Sequence, residues 1–152
     1  QEHIQVIWQC GTAYINSVRK RIDPEKYENL RLTEYIDEMP KAYAAADLVV
    51  TRAGAGTCSE LAAVGQPAVL VPSPNVAGDH QTQNARSFEK AGAALLLKEE
   101  NLQQKLVSTV SDLIRDPEKL KEMQRSMSRL AKPGAADAIA DRIFSFVKEK
   151  QK

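Results

Sequence analysis

The sequence predicts an α/β fold: a Rossmann-like parallel sheet with helices on both faces. Two observations carry that expectation. Short β-branched runs alternate five times with helical stretches, the order of βα units whose strands lie parallel. Glycine, proline and aspartate stand at the joins between them. With 152 residues the chain can bury a core of its own, so 1–152 is expected to be a single domain.

The elements follow in order. Residues 4–8 form the first expected strand, ending at Gln9-Cys10-Gly11, and a helix over 12–21 stops at Asp23-Pro24. Residues 30–36 form the second strand, and 39–46 a short Ala-rich helix that tolerates Pro40 in its first turn. The third strand, 48–51, has the continuous apolar character of a strand buried on both faces. Thr57 is expected to cap the next helix, which Gly65 closes. Strand four, 68–71, lies between Pro67 and Pro72. Asp79 then caps a helix to Ala91, and strand five covers 94–97. Three helices complete the chain over about 101–150. Leu102, Leu106, Val110, Leu113 and Ile114 mark the first; Leu120, Met123, Met127 and Leu130 mark the second, after the start signal Asp116-Pro117. The third runs over about 135–148, with Ile139, Ile143, Phe146 and Val147 expected to face inward.

Parallel α/β sheets bind ligands beyond the carboxyl ends of their strands. The turns after strands two, three and four hold Tyr35-Ile36-Asp37, residues 52–57 and residues 73–83. In the middle turn Gly54 and Gly56 lead a strand straight into a helix, which aims free N–H groups and the positive helix end at one point. That arrangement suits a phosphate. A second reading stands beside it, because Thr57-Cys-Ser-Glu60 also fits a capping box. Glu60 either bonds back to the Thr57 amide or grips the hydroxyls of a ribose.

Other classes are disfavoured. The 21 basic and 20 acidic residues nearly cancel, so no nucleic-acid partner is expected. Two cysteines make no disulfide framework, and Cys58 is expected to be a small packed residue rather than a nucleophile. No metal site or other cofactor is expected, since no His/Cys cluster or Asp-x-Asp motif has ligand spacing. No apolar run approaches a transmembrane span, and no signal peptide is recognised, which leads to the expectation of a cytoplasmic protein. Arg52 could pair with a diphosphate or with a carboxylate in a neighbouring loop.

Trp8-Gln-Cys-Gly11, Thr33-Glu-Tyr-Ile-Asp-Glu-Met39, Arg52-Ala-Gly-Ala-Gly-Thr-Cys-Ser-Glu60, Gln66-Pro-Ala, Asp79-His-Gln-Thr-Gln-Asn84 and Glu89-Lys-Ala-Gly-Ala93 occur in that order. Together they resemble the donor-binding half of the MurG family, the bacterial N-acetylglucosaminyltransferases that convert lipid I to lipid II in peptidoglycan synthesis. The resemblance implies the C-terminal half of a GT-B architecture and UDP-N-acetylglucosamine as donor. It implies that Ile36 meets the uracil through its backbone. Ala55, Gly56 and Thr57, with Cys58 and Ser59 in the same helix start, would hold the diphosphate. Glu60 would take the ribose, and Gln81, helped by His80 and Asn84, the sugar hydroxyls. Amides that donate and accept at once suit such hydroxyls.

The same resemblance implies what these residues do not supply. A first strand and Gly-rich loop of the donor domain would lie between strands one and three. An N-terminal domain would bind the lipid acceptor and supply the general base, so no catalytic residue is expected here. The last helices would pack on the sheet or reach toward that domain. The intact enzyme would be peripheral on the cytoplasmic face of the inner membrane, and this chain alone inactive. Three alternatives remain: a nucleotide-sugar-binding subunit of a split glycosyltransferase, a dinucleotide-dependent oxidoreductase, and a purely structural partner that binds no ligand. The oxidoreductase is disfavoured because the Gly turn follows the third strand and lacks G-x-G-x-x-G with an acidic residue about 20 positions on.

Overall fold

The computed structural model describes residues 4–75 and 77–149. The chain forms two compact units, Gln1–Ala45 and Ala46–Lys152. In the first unit β1 (Val6–Gln9) pairs in parallel with β2 (Leu30–Thr33), Gln9 lying opposite Thr33. The connection runs through α1 (Ile15–Arg21), and Gly11 at φ +78 makes the turn that leads into it. Main-chain pairing continues past the strand ends, from Cys10 N–H to Thr33 O and from Gly11 N–H to Glu34 O, both at 3.1 Å. β2 stops three residues before the expected end. The Thr33 hydroxyl donates to the Tyr35 carbonyl at 2.7 Å, a local bond that bends the chain out of the extended path. The helix α2 (Met39–Ala45) ends this unit.

In the second unit β3 (Val49–Thr51), β4 (Ala68–Leu70) and β5 (Ala94–Leu96) form a parallel sheet in the order β3-β4-β5. The helices are α3 (Ala55–Val64), α4 (His80–Lys90), α5 (Leu102–Ile114), α6 (Pro117–Arg129) and α7 (Ala135–Glu149). β4 is central, and all three of its residues are buried. Its alternate side chains point to opposite faces. On one face Val69 and Val71 join Leu97, Leu113 and Met123, with Leu102, Leu106 and Leu120 packed around them, so α5 and α6 cover that side. Met123 and Met127 are core residues, as expected. α4 packs along β5, and α3 against α4 and α6. Gln66 is the one buried polar residue among those described; its Nε2 donates to Ala46 O at 2.7 Å, which removes the penalty of burying an amide.

The parallel pairing agrees with expectation, but the strands form a two-stranded and a three-stranded sheet. No pairing joins β1 to β3 among the described residues. β3 is accordingly an edge strand, and Val50 is exposed rather than buried on both faces. α3 begins at Ala55, three residues before the position that a Thr57 cap would give, because Gly54 with φ −64 and ψ 149 takes the N-cap place. The α7 expectation fails in a different way. Ile139, Ile143, Phe146 and Val147 lie on an exposed face, about half or more of each side chain open to solvent. Periodicity identified the apolar stripe correctly, but no described neighbour covers it.

Candidate functional site

The α3 start is built by its sequence. Gly54 has no side chain with which to cap the helix, and no side-chain cap bond is present. The first intrahelical bond runs from Cys58 N–H to Gly54 O at 2.9 Å. An α-helix leaves its first N–H groups without intrahelical acceptors, which here belong to Gly54, Ala55, Gly56 and Thr57. Ala55 and Gly56 are exposed and Thr57 half-buried. A Cβ on Gly56 would meet nothing within 4 Å, so open space lies over the turn. With Thr57 in the third helical position, Thr57-x-x-Glu60 is not a capping box, which needs the threonine at the N-cap. Glu60 and Ser59 lie exposed one turn on. Cys58 is buried, its thiol pushed up in pKa by desolvation and its amide already bonded, so it offers no nucleophile.

α4 is tied to this turn from the other side. Asn84 Nδ2 donates to Ala53 O at 3.0 Å, joining the second turn of α4 to the residue that precedes Gly54. Gln81 Oε1 accepts from Ser73 N–H at 2.9 Å, which anchors the loop after β4 and leaves the Gln81 Nε2 as a donor. His80 is exposed, and its ring lies over Gly78: a Cβ there would come within 2.8 Å of Nε2. Gly78 has φ +66, the left-handed region that favours glycine. Asp79 holds the N-cap place of α4 in the left-handed region at φ 53, without a side-chain cap bond.

Arg52, at the exit of β3, forms an ion pair with Glu99, just after β5. The bond from Arg52 holds the Glu99 carboxyl below the usual carboxylate range and raises the guanidinium in turn. Of the two roles open to Arg52, the structure shows the ion pair. In the first unit Ile36 is half-buried, and its N–H donates to Gln9 Oε1 at 3.0 Å.

Sequence reasoning gave no structural or binding role to Gln9, Gln66 or Glu99. Gln9 could have been found, since it ends the strand beside the one that leads to Ile36. Glu99 lies far from Arg52 in sequence, and only the parallel register of β3, β4 and β5 brings their exits to one edge. Among the described residues no group of three or more His, Cys, Asp or Glu could hold a metal ion.

The parallel α/β arrangement, with a helix starting at a strand's carboxyl end, is that of Rossmann-like folds, whose ligands lie beyond the carboxyl ends of the strands. Residues 1–140 match the glycosyltransferase family 28 C-terminal domain, and the chain belongs to that family. It is 50% identical over 137 residues to the UDP-N-acetylglucosamine--N-acetylmuramyl-(pentapeptide) pyrophosphoryl-undecaprenol N-acetylglucosamine transferase of Salinibacter ruber, covering 90% of this chain and 36% of that protein. The protein of the same name from Porphyromonas gingivalis is 42% identical over 149 residues, 98% of this chain and 39% of its own length. The crystal structure of Acinetobacter baumannii MurG superposes with a TM-score of 0.79 at 30% identity, over 93% of this chain and 43% of that one. The chain thus spans well under half the length of these relatives.

Proposed function

We propose that this chain is the donor-binding part of an inverting N-acetylglucosaminyltransferase that uses UDP-N-acetylglucosamine and transfers its sugar to lipid I. The observation that carries the proposal is the α3 start, where Gly54 makes no side-chain cap and the N–H groups of Ala55, Gly56 and Thr57 have no acceptor within the helix. These amides and the helix dipole would hold the diphosphate. Glu60 would bond the ribose hydroxyls. Gln81 Nε2 and His80 would bond the sugar, while Asn84 holds the turn in place through Ala53. In the first unit, Ile36 would offer main-chain groups to uracil. The names of the relatives supply the sugar and the acceptor.

In the reaction, the acceptor's 4-hydroxyl oxygen bonds to the anomeric carbon as the bond from that carbon to the diphosphate oxygen breaks. The hydroxyl proton passes to a general base outside these residues, and UDP leaves. The α3 amides stabilise the charge that grows on the leaving diphosphate. Residues 1–152 alone would bind donor without turnover, as one domain, and the whole enzyme would work at the cytoplasmic face of the inner membrane.

Calorimetric titration with UDP, UDP-N-acetylglucosamine and NADH tests the proposal. Saturable binding of both uridine nucleotides with none of NADH is expected. Preference for NADH, or no binding of either uridine nucleotide by the full-length protein, would refute it.

A further inference from the structure

Three carbonyls of the turn after β2 accept hydrogen bonds. Thr33 O accepts from Cys10 N–H, Glu34 O accepts from Gly11 N–H, and Tyr35 O accepts from the Thr33 hydroxyl. These bonds come from the adjoining backbone or from the strand's own short side chain. The Ile36 N–H differs, because its acceptor is the end of a long, exposed side chain, Gln9 Oε1 at 3.0 Å. Its acceptor can be exchanged without moving the backbone.

We propose that Gln9 is an exchangeable stand-in for the nucleobase. Its carboxamide carbonyl occupies the Ile36 N–H while the site is empty, and a uracil carbonyl replaces it on binding. This inference rests on the assignment of Ile36 as a base contact. The trade is chemically even: both acceptors are neutral amide-type carbonyls, and the released Gln9 carboxamide is solvated where it already lies exposed. A single N–H serves one acceptor well, so the base binds only the fraction of molecules in which Gln9 has swung away. Apparent affinity falls by that fraction. Gln9 therefore sets how tightly uridine nucleotides bind and keeps the loop's donor satisfied between turnovers.

Two variants separate exchange from simple support of the loop. The full-length protein and its Gln9→Ala and Gln9→Glu forms are titrated with UDP, uridine and inorganic pyrophosphate, after circular dichroism confirms that each is folded. Exchange predicts that Gln9→Ala binds UDP about two- to tenfold tighter, since a competitor worth one ordinary hydrogen bond is gone. Gln9→Glu binds both UDP and uridine more weakly, because a carboxylate holds the amide by a charge-assisted bond. Pyrophosphate affinity is unchanged in Gln9→Ala. The opposite order, with Ala weakened and Glu equal to the unsubstituted protein, makes Gln9 a support and overturns the proposal, as do three equal affinities. If the unsubstituted protein binds no UDP, the base assignment itself fails; UDP binding with the wrong order of variants removes only the exchange.

Discussion

Gly65 shows how much one residue can be constrained. It closes α3 at φ +70, and a Cβ there would fall 2.5 Å from the Ser128 hydroxyl on α6. Gly65→Ala is therefore expected to cost about 1–3 kcal/mol, from the left-handed backbone and the displaced serine together, measurable by urea denaturation. Asn84→Ala removes the tie to Ala53 O and should weaken donor binding severalfold with a stability loss of about 1 kcal/mol. Titration of the variant with UDP checks the first effect and denaturation the second. The Arg52–Glu99 pair makes a pH prediction. The Glu99 carboxyl is depressed by Arg52, so its contribution is present above the ordinary carboxylate pKa and lost as pH falls through the lowered one. Glu99→Gln should flatten that part of the acid-stability curve, by a small amount because the pair is exposed.

At the level of elements, α3 and α7 mark what was and was not legible in the sequence. Signals carried by adjacent residues were read well: Pro67 and Pro72 around β4, Gly65 after α3, and Asp116-Pro117, where the Asp116 carboxylate accepts from Lys119 N–H at 2.9 Å. The α3 cap was placed three residues late because Thr57-x-x-Glu60 imitates a capping box, whereas a bare glycine leaves no pattern. The glycine is also what keeps those amides open. For α7, helical spacing shows that an apolar face exists but cannot show what covers it. Arg142 lies over the Phe146 ring at 4.3 Å, the aromatic contact that the structure gives this face. Denaturation should separate the two helices. Leu61→Ala, wholly buried in α3, is expected to cost about 2–5 kcal/mol. Ile143→Ala, 57% exposed, should cost well under half as much. The partners Gln81–Ser73 and Asn84–Ala53 were not legible, because side-chain bonds between separate loops leave no periodic trace, whereas Gln9–Ile36 could be sought at the paired ends of β1 and β2.

For the molecule as a whole, family membership rests on a match across residues 1–140, and the proposed donor chemistry on one helix start. No described helix is long and apolar enough to cross a membrane. The chain covers 36% of the Salinibacter ruber relative, so transfer to an acceptor is proposed for the whole protein. Backbone NMR gives the most direct measurement: the amide signals of Ala55, Gly56 and Thr57 followed during parallel titrations with UDP and uridine. The account predicts that UDP moves these three signals saturably and that uridine, which lacks the diphosphate, leaves them in place. If UDP binds while the three amides stay where they were, the diphosphate lies elsewhere and the α3 assignment is contradicted.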